Sequence, residues 1–373
     1  MTDHAGPASA AGTSPTLLQV CPNDLPPFRA ICAYHEAAAR ALGWRATTVF
    51  LAPAAAEPMA AACYLDLADL HRTGAMAAAL RLSLAGLPLE PRGTLVLCHR
   101  YRALRALRAS GLRARRCVAV AHEFGFLDRW QRRLRERLRS RDSTLFAGVS
   151  DPVRDELRRT VAGAITLPNG IDLAAADAAR LDRPAARRAL AVAADEFVIG
   201  VVGRLHWKKG PELALRGFAL AAPELPDARL LFIGSGELAA GLEREARSLS
   251  VSFTGFVADA PRCFAALDLL LLPSTTREAF GMVALEAMAA GVPVLSGPAP
   301  GPRYVLGDTA RIFEPATPEA LAAALVAMRR EAAGGALSHR ASAGRRRAEQ
   351  MFSVGAGAVR LQRLYDGIEV TPQ

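Results

Sequence analysis

Phe197-Val198-Ile199-Gly200-Val201-Val202 runs into Gly203-Arg204-Leu205-His206-Trp207-Lys208-Lys209-Gly210, and a helix-forming run opens at Pro211. An apolar strand, a short basic loop and a helix make one βα unit of a parallel sheet. Gly203 lets the backbone turn tightly. Arg204 and one of the lysines that follow, Lys208 or Lys209, can then converge on one anion beside the helix N-terminus. A diphosphate suits such a set; read alone, the piece fits a solvated basic turn equally well.

The same alternation extends outward in both directions. Upstream, strands are expected at Thr16–Val20, Thr47–Leu51, Thr94–Cys98, Val118–Ala121 and Ala164–Leu167. A second series is Phe197–Val202, Arg229–Ile233, Val251–Phe253, Leu269–Leu272 and Val292–Leu295. Helices fall between them, at Phe28–Leu42, Pro211–Ala222, Leu238–Leu249 and Met282–Ala290. Alternation of this kind predicts an α/β chain with two doubly wound parallel sheets. The length of 373 residues fits two domains. The expected division is a loose tail over 1–15, one domain over 16–171, a second over 172–352, and a last helix within 353–373 that packs back on the first domain.

Ligands of open parallel sheets sit at the carboxyl ends of strands, so the loops after strands carry the candidates. Gly234-Ser235-Gly236 follows one strand, a weak signal by itself. Arg277-Glu278-Ala279-Phe280-Gly281-Met282-Val283-Ala284-Leu285-Glu286 follows another and is the strongest piece. Free N–H groups of Gly281, Met282 and Val283 at a helix start favour a phosphate. Glu278 before that start and Glu286 inside the helix can accept from hydroxyls on either side of a diphosphate. The bland alternative is a helix-terminal charge and a solvated helix residue. The apolar neighbours of Glu286 argue against it. In the first half, His122 closes the strand Val118–Ala121, where it can donate to a sugar or phosphate. His99, after Thr94–Cys98, competes with it. Leu167-Pro168-Asn169-Gly170 is a turn signal with a structural reading.

Hydrophobic residues make up 51% and charged residues 22%, which excludes a mainly disordered chain. No apolar run approaches the ~18 residues of a membrane span, and the first residues do not read as a signal peptide. The net charge of +10 is concentrated. Residues 101–150 hold 13 Arg and 4 acidic residues. Within them, Trp130, Leu134 and Leu138 make an apolar stripe among Arg129, Arg132, Arg133, Arg135 and their neighbours up to Arg141. Such a helix can lie on an anionic membrane or bind nucleic acid, or it can bury its stripe in a core. Six scattered cysteines without a C-x-x-C pair read as free thiols. No D-x-D triplet, P-loop, H-E-x-x-H or G-x-S-x-G occurs.

Gly203-Arg204…Lys209-Gly210, Gly234-Ser235-Gly236, Thr254-Gly255-Phe256-Val257 and Glu278-Ala279-Phe280-Gly281…Leu285-Glu286-Ala287 together resemble the donor-binding half of the family 4 retaining glycosyltransferases. Leu167–Asp172 resembles their interdomain segment. The resemblance is dense from about 165 to 315 and thin over 1–115.

It implies a GT-B fold, two Rossmann-like domains facing each other across a cleft, and a nucleotide-sugar donor, a UDP-sugar foremost, with no metal or cofactor required. By resemblance, Arg204 and Lys209 neutralise the donor diphosphate, Glu278 holds the donor sugar, Glu286 the ribose, and His122 stands near the sugar. Gly203, Gly234, Phe256, Phe280, Gly281, Met282 and Val283 complete the donor set. The loop Cys21–Pro27 lacks the family's Gly-Gly pair. Asp24, with His99, is assigned there to the acceptor. The expected activity is transfer to a lipid-borne or envelope glycan such as lipopolysaccharide core. It would take place at the cytoplasmic face of the inner membrane, with residues 129–141 docked on anionic lipid. A sugar-nucleotide epimerase and a non-enzymatic binder of sugar nucleotide or nucleic acid are the rival classes. Nucleic acid is disfavoured because Trp130 is the only aromatic in the arginine run.

Overall fold

The computed structural model describes residues 14–55, 57–60, 62–67, 72–87, 89–138, 144–275 and 277–368. Residues 1–13 of the tail expected over 1–15, and the end of the arginine run at 139–141, lie outside the described residues.

In the N-terminal half, strands β1 (Thr16–Cys21), β2 (Arg45–Phe50), β3 (Ala62–Tyr64), β4 (Thr94–His99), β5 (Arg116–Ala121), β6 (Thr144–Gly148) and β7 (Ile165–Thr166) form one sheet. Their order is β3-β2-β1-β4-β5-β6-β7. The C-terminal half holds β8 (Phe197–Val202), β9 (Ala228–Ile233), β10 (Val251–Phe253), β11 (Leu269–Leu272), β12 (Val294–Ser296) and β13 (Arg311–Ile312), in the order β10-β9-β8-β11-β12-β13. The described pairings, such as Thr16↔Arg45 and Val198↔Arg229, are parallel. Each sheet therefore grows outward from its first strand in one direction and then reverses, which is the strand order of Rossmann-type sheets.

Strands buried on both faces read as near-continuous apolar runs, and β1 and β11 are buried at every position. In the second sheet, Ile199, Leu230, Phe232, Leu269 and Leu271 pack with Phe218 and Leu325 from flanking helices, all at 0% exposure. The sequence pattern missed β3, β6 and β13. These strands are short or only partly buried at their ends, so no apolar run marks them. The helix expected over Leu238–Leu249 is confined to Ala239–Glu245.

Two compact units emerge. One takes the described residues up to Val120, 144–146 and those from Ala358; the other takes 121–138 and 147–357. Inside the first, the end of the last helix (Val354–Asp366) is held by Trp44, whose ring lies 5.0 Å from that of Tyr365. Arg115 caps the same tyrosine ring at 4.4 Å.

Candidate functional site

Reversal of strand order leaves a crevice where the two neighbouring loops part in opposite directions. In the second sheet that point lies between β8 and β11, so the loops after Val202 and Leu272 meet there. They carry Arg204 with Lys209, and Glu278. Lys209 Nζ donates to Glu278 Oε1 at 2.6 Å, joining the two strongest sequence pieces directly. The Glu278 side chain is 19% exposed and that of Lys209 41%, so the pair is open to a ligand from one side. Arg204 is exposed beside it, and Gly203, Arg204, Lys209, Leu272, Pro273 and Val283 line a shared recess.

The helix Met282–Ala289 starts at this crevice with Gly281 as its N-cap at φ 95°. No side chain caps it, so the first N–H groups remain available for an anion. Glu286 is half-buried one turn further in. Burial pushes its carboxyl up to about 7, and the nearby Asp259 charge adds to the rise. A carboxyl whose folded pKa lies above its unfolded value binds a proton preferentially in the native state. Its contribution is complete below the ordinary carboxylate range and is lost as pH rises towards 7. Glu286→Gln is therefore expected to flatten the fall of the melting temperature between pH 5 and 8. Superimposable wild-type and variant pH profiles would contradict the buried carboxyl.

Gly234 shows why the second glycine loop takes no side chain. Its φ is +145°, and a Cβ there would lie 2.0 Å from the Gly203 carbonyl oxygen. The two loops are stitched by Gly203 N–H to Ile233 O and Leu205 N–H to Ser235 O, both 2.9 Å. Gly234 N–H in turn donates to Gly255 O at 2.9 Å. Phe256, next in line, is 78% exposed at the edge of this arrangement. Phe280 is 4% exposed and packs on Phe352, so only its backbone is left to meet a ligand.

His122 is half-buried at the start of the loop after β5, and this loop belongs to the same unit as Glu278. The tie runs through residues that sequence reasoning gave no role. Arg277 pairs with Glu156 and lies 4.6 Å over the Phe124 ring. Glu156 Oε1 accepts from Gly125 N–H at 2.6 Å, and Ser150 Oγ donates to Ala279 O at 2.6 Å. Arg277 was visible in the motif, but its partners lie more than a hundred residues away, and no local pattern announces them.

Asp24 and His99 sit inside the N-terminal unit. Asp24, 2% exposed, accepts from Ala55 N–H at 3.0 Å and from the Tyr64 hydroxyl at 3.1 Å. His99 is fully buried, its Nε2 3.0 Å from Gln19 Oε1. Gln19 also donates to Thr48, which donates to Glu36. Both candidates are thus bound into networks of their own unit. Among the described residues no group of three or more His, Cys, Asp or Glu side chains comes together as a metal site.

The arginine run forms a helix over Trp130–Leu138. Its stripe does not enter a core. Trp130, Leu134 and Leu138 are 65%, 48% and 76% exposed, and Glu136 is the residue turned inward. Among the described residues, no helix is long and apolar enough to cross a membrane.

A GDP-mannose-dependent monoacylated alpha-(1-6)-phosphatidylinositol monomannoside mannosyltransferase of Corynebacterium glutamicum is 34% identical over 160 residues, 40% of this chain and 42% of that protein. A D-inositol 3-phosphate glycosyltransferase of Mycobacterium bovis is 40% identical over 126 residues, 31% of this chain and 25% of that protein. The chain thus spans less than half the length of these relatives. Among solved structures, the Anabaena protein HepE in complex with UDP superposes with a TM-score of 0.75 at 20% identity, over 95% of this chain and 100% of that one. The chain has the GT-B fold, and its residues 196–331 match the family of group 1 glycosyl transferases.

Proposed function

We propose that the protein is a retaining glycosyltransferase of family 4 that moves a sugar from a nucleotide-sugar to a lipid-linked glycan. The observation that carries this reading is the Lys209–Glu278 pair beside Arg204 and an uncapped helix start. Cations and helix N–H groups aimed at a diphosphate act where charge develops as it leaves. In the proposed step, the bond from the anomeric carbon to the β-phosphate oxygen breaks. The acceptor oxygen bonds to that carbon from the same face, and the acceptor proton passes to the departing phosphate. Glu278 orients the sugar hydroxyls, Glu286 the ribose, and His122 the sugar near the β-phosphate. No metal or cofactor is required.

A UDP-sugar is the donor we favour, with an envelope glycan such as lipopolysaccharide core as acceptor. GDP-mannose with an inositol-bearing acceptor is the second reading, favoured by the name of the Corynebacterium relative. A panel of UDP-, GDP-, ADP- and CMP-sugars, with and without envelope lipid extract, separates them. Acceptor-dependent release of one nucleotide, with a matching mass gain in the lipid, is the expected result. An isomerised sugar formed without acceptor would replace transfer with epimerisation. Nucleotide binding without any release would leave a non-enzymatic binder.

The place of action we propose is the cytoplasmic face of the inner membrane, reached through the exposed stripe and arginines of Trp130–Leu138. Each basic residue near an anionic surface contributes about 1 kcal/mol. Reversing Arg132, Arg133 and Arg135 to Glu is therefore expected to weaken binding to anionic vesicles by about 100-fold or more. Unchanged flotation, or equal binding of an oligonucleotide, would rule out this docking.

A further inference from the structure

A second recess lies in the unit that holds Glu278. Its volume is about 150 Å³, and Arg133, Arg159, Arg277, Asp128, Glu156 and Leu157 are among its lining residues. A water takes up ~30 Å³ of the liquid, so the recess holds a group the size of several waters. Its charges are unequally committed. Glu156 is engaged by Arg277 and by the Gly125 N–H. Asp128 is exposed and folds over Gly125, its Oδ2 2.8 Å from where a Gly125 Cβ would stand. Arg133 and Arg159 are exposed, and neither forms an ion pair among the described residues. With Glu156 set against Arg277, two guanidinium-bearing side chains and one carboxylate remain in the lining, which leaves a net positive recess. Guanidinium forks match phosphate oxygens, while a carboxylate accepts from hydroxyls.

Two placements say where such a ligand comes from. Arg133 belongs to the helix whose Trp130, Leu134 and Leu138 stand exposed, so the recess opens beside a surface fit for lipid. Arg277, on its wall, immediately precedes Glu278. We propose that Arg133 and Arg159 bind the phosphate of a membrane lipid headgroup, with Asp128 accepting from a headgroup hydroxyl. This lipid is the acceptor, a part of the proposal that rests on the glycosyl transfer proposed above.

The test is flotation of the full chain with phosphatidylcholine vesicles, with and without phosphatidylglycerol, for wild type, Arg159→Gln and Arg188→Gln. Arg188 is an exposed arginine outside the recess and matches the loss of charge. Hydrogen bonds to a charged group predict that Arg159→Gln loses about 10-fold of the phosphatidylglycerol-dependent binding, with Arg188→Gln close to wild type. Thermal melts establish that both variants are folded, and Arg133→Gln provides a second reading of the site. Equal, small effects of Arg159→Gln and Arg188→Gln would overturn the site in favour of diffuse electrostatics. Binding of soluble glycerol phosphate that needs Arg159, alongside vesicle binding that does not, would overturn the lipid source. Failure of sugar transfer with Arg159-dependent vesicle binding intact would remove the acceptor role and leave the headgroup site standing.

Discussion

Lys209→Ala is expected to lower the rate of sugar transfer by about 10²–10³-fold, the usual loss when one preorganised group facing developing charge is removed. In the proposed transfer the diphosphate gains negative charge as it departs, and Lys209 stands at the crevice proposed to hold it. The same change deprives Glu278 of its 2.6 Å partner. A carboxylate left 19% exposed without that ammonium would repel the donor phosphates, so donor affinity should fall as well. Single-turnover rates with saturating donor separate the two effects. Glu278→Gln keeps a hydrogen-bonding side chain but drops the charge, and should retain more donor binding than Lys209→Ala. A Lys209→Ala rate within a few-fold of wild type would remove this residue from the chemistry.

Gly301→Ala is expected to damage both stability and activity by acting on the backbone of the Glu278 loop. A Cβ on Gly301 would lie 2.3 Å from the Glu278 carbonyl oxygen and 2.4 Å from the Phe280 nitrogen. Both are backbone atoms, so the loop itself has to move. Gly301 N–H donates to that same carbonyl at 2.9 Å, which holds the helix Pro300–Leu306 against the loop. Overpacking of this kind costs about 3 kcal/mol. For a domain of this size that corresponds to a fall of about 6–12 °C in melting temperature. The displaced segment carries Glu278 and leads into the helix start at Gly281, so donor binding should weaken in parallel. Calorimetry of the variant with nucleotide reads both quantities. An unchanged melting temperature would show that the close approach is absent in solution.

The alternation of strands and helices was legible in the chain because β8 and β11 carry no polar side chain and β1 and β4 are largely apolar, as doubly covered strands tend to be. The short strands β3 and β13 escaped notice because pairing with a neighbour, not an apolar run, defines them. The residues proposed for the donor side were legible for a related reason. A loop after a strand and an uncapped helix start are local features, written within a dozen residues at 203–210 and 277–286.

Tertiary structure alone decided what those pieces meet. Strand order places β11 next to β8, with Leu269 opposite Ile199, and only then can Glu278 reach Lys209. The link from the His122 loop to the Glu278 loop, through Phe124, Arg277 and Glu156, is likewise long-range. Glu286 is one carboxylate among many in the sequence, and its raised pKa arises from what covers it. The arginine helix shows the limit most clearly. Spacing of four places Trp130, Leu134 and Leu138 on one face, but periodicity fixes only which residues share a face. Whether that face is covered depends on the surfaces that fold against it, and here the protein buries Glu136 and leaves the apolar stripe open to solvent.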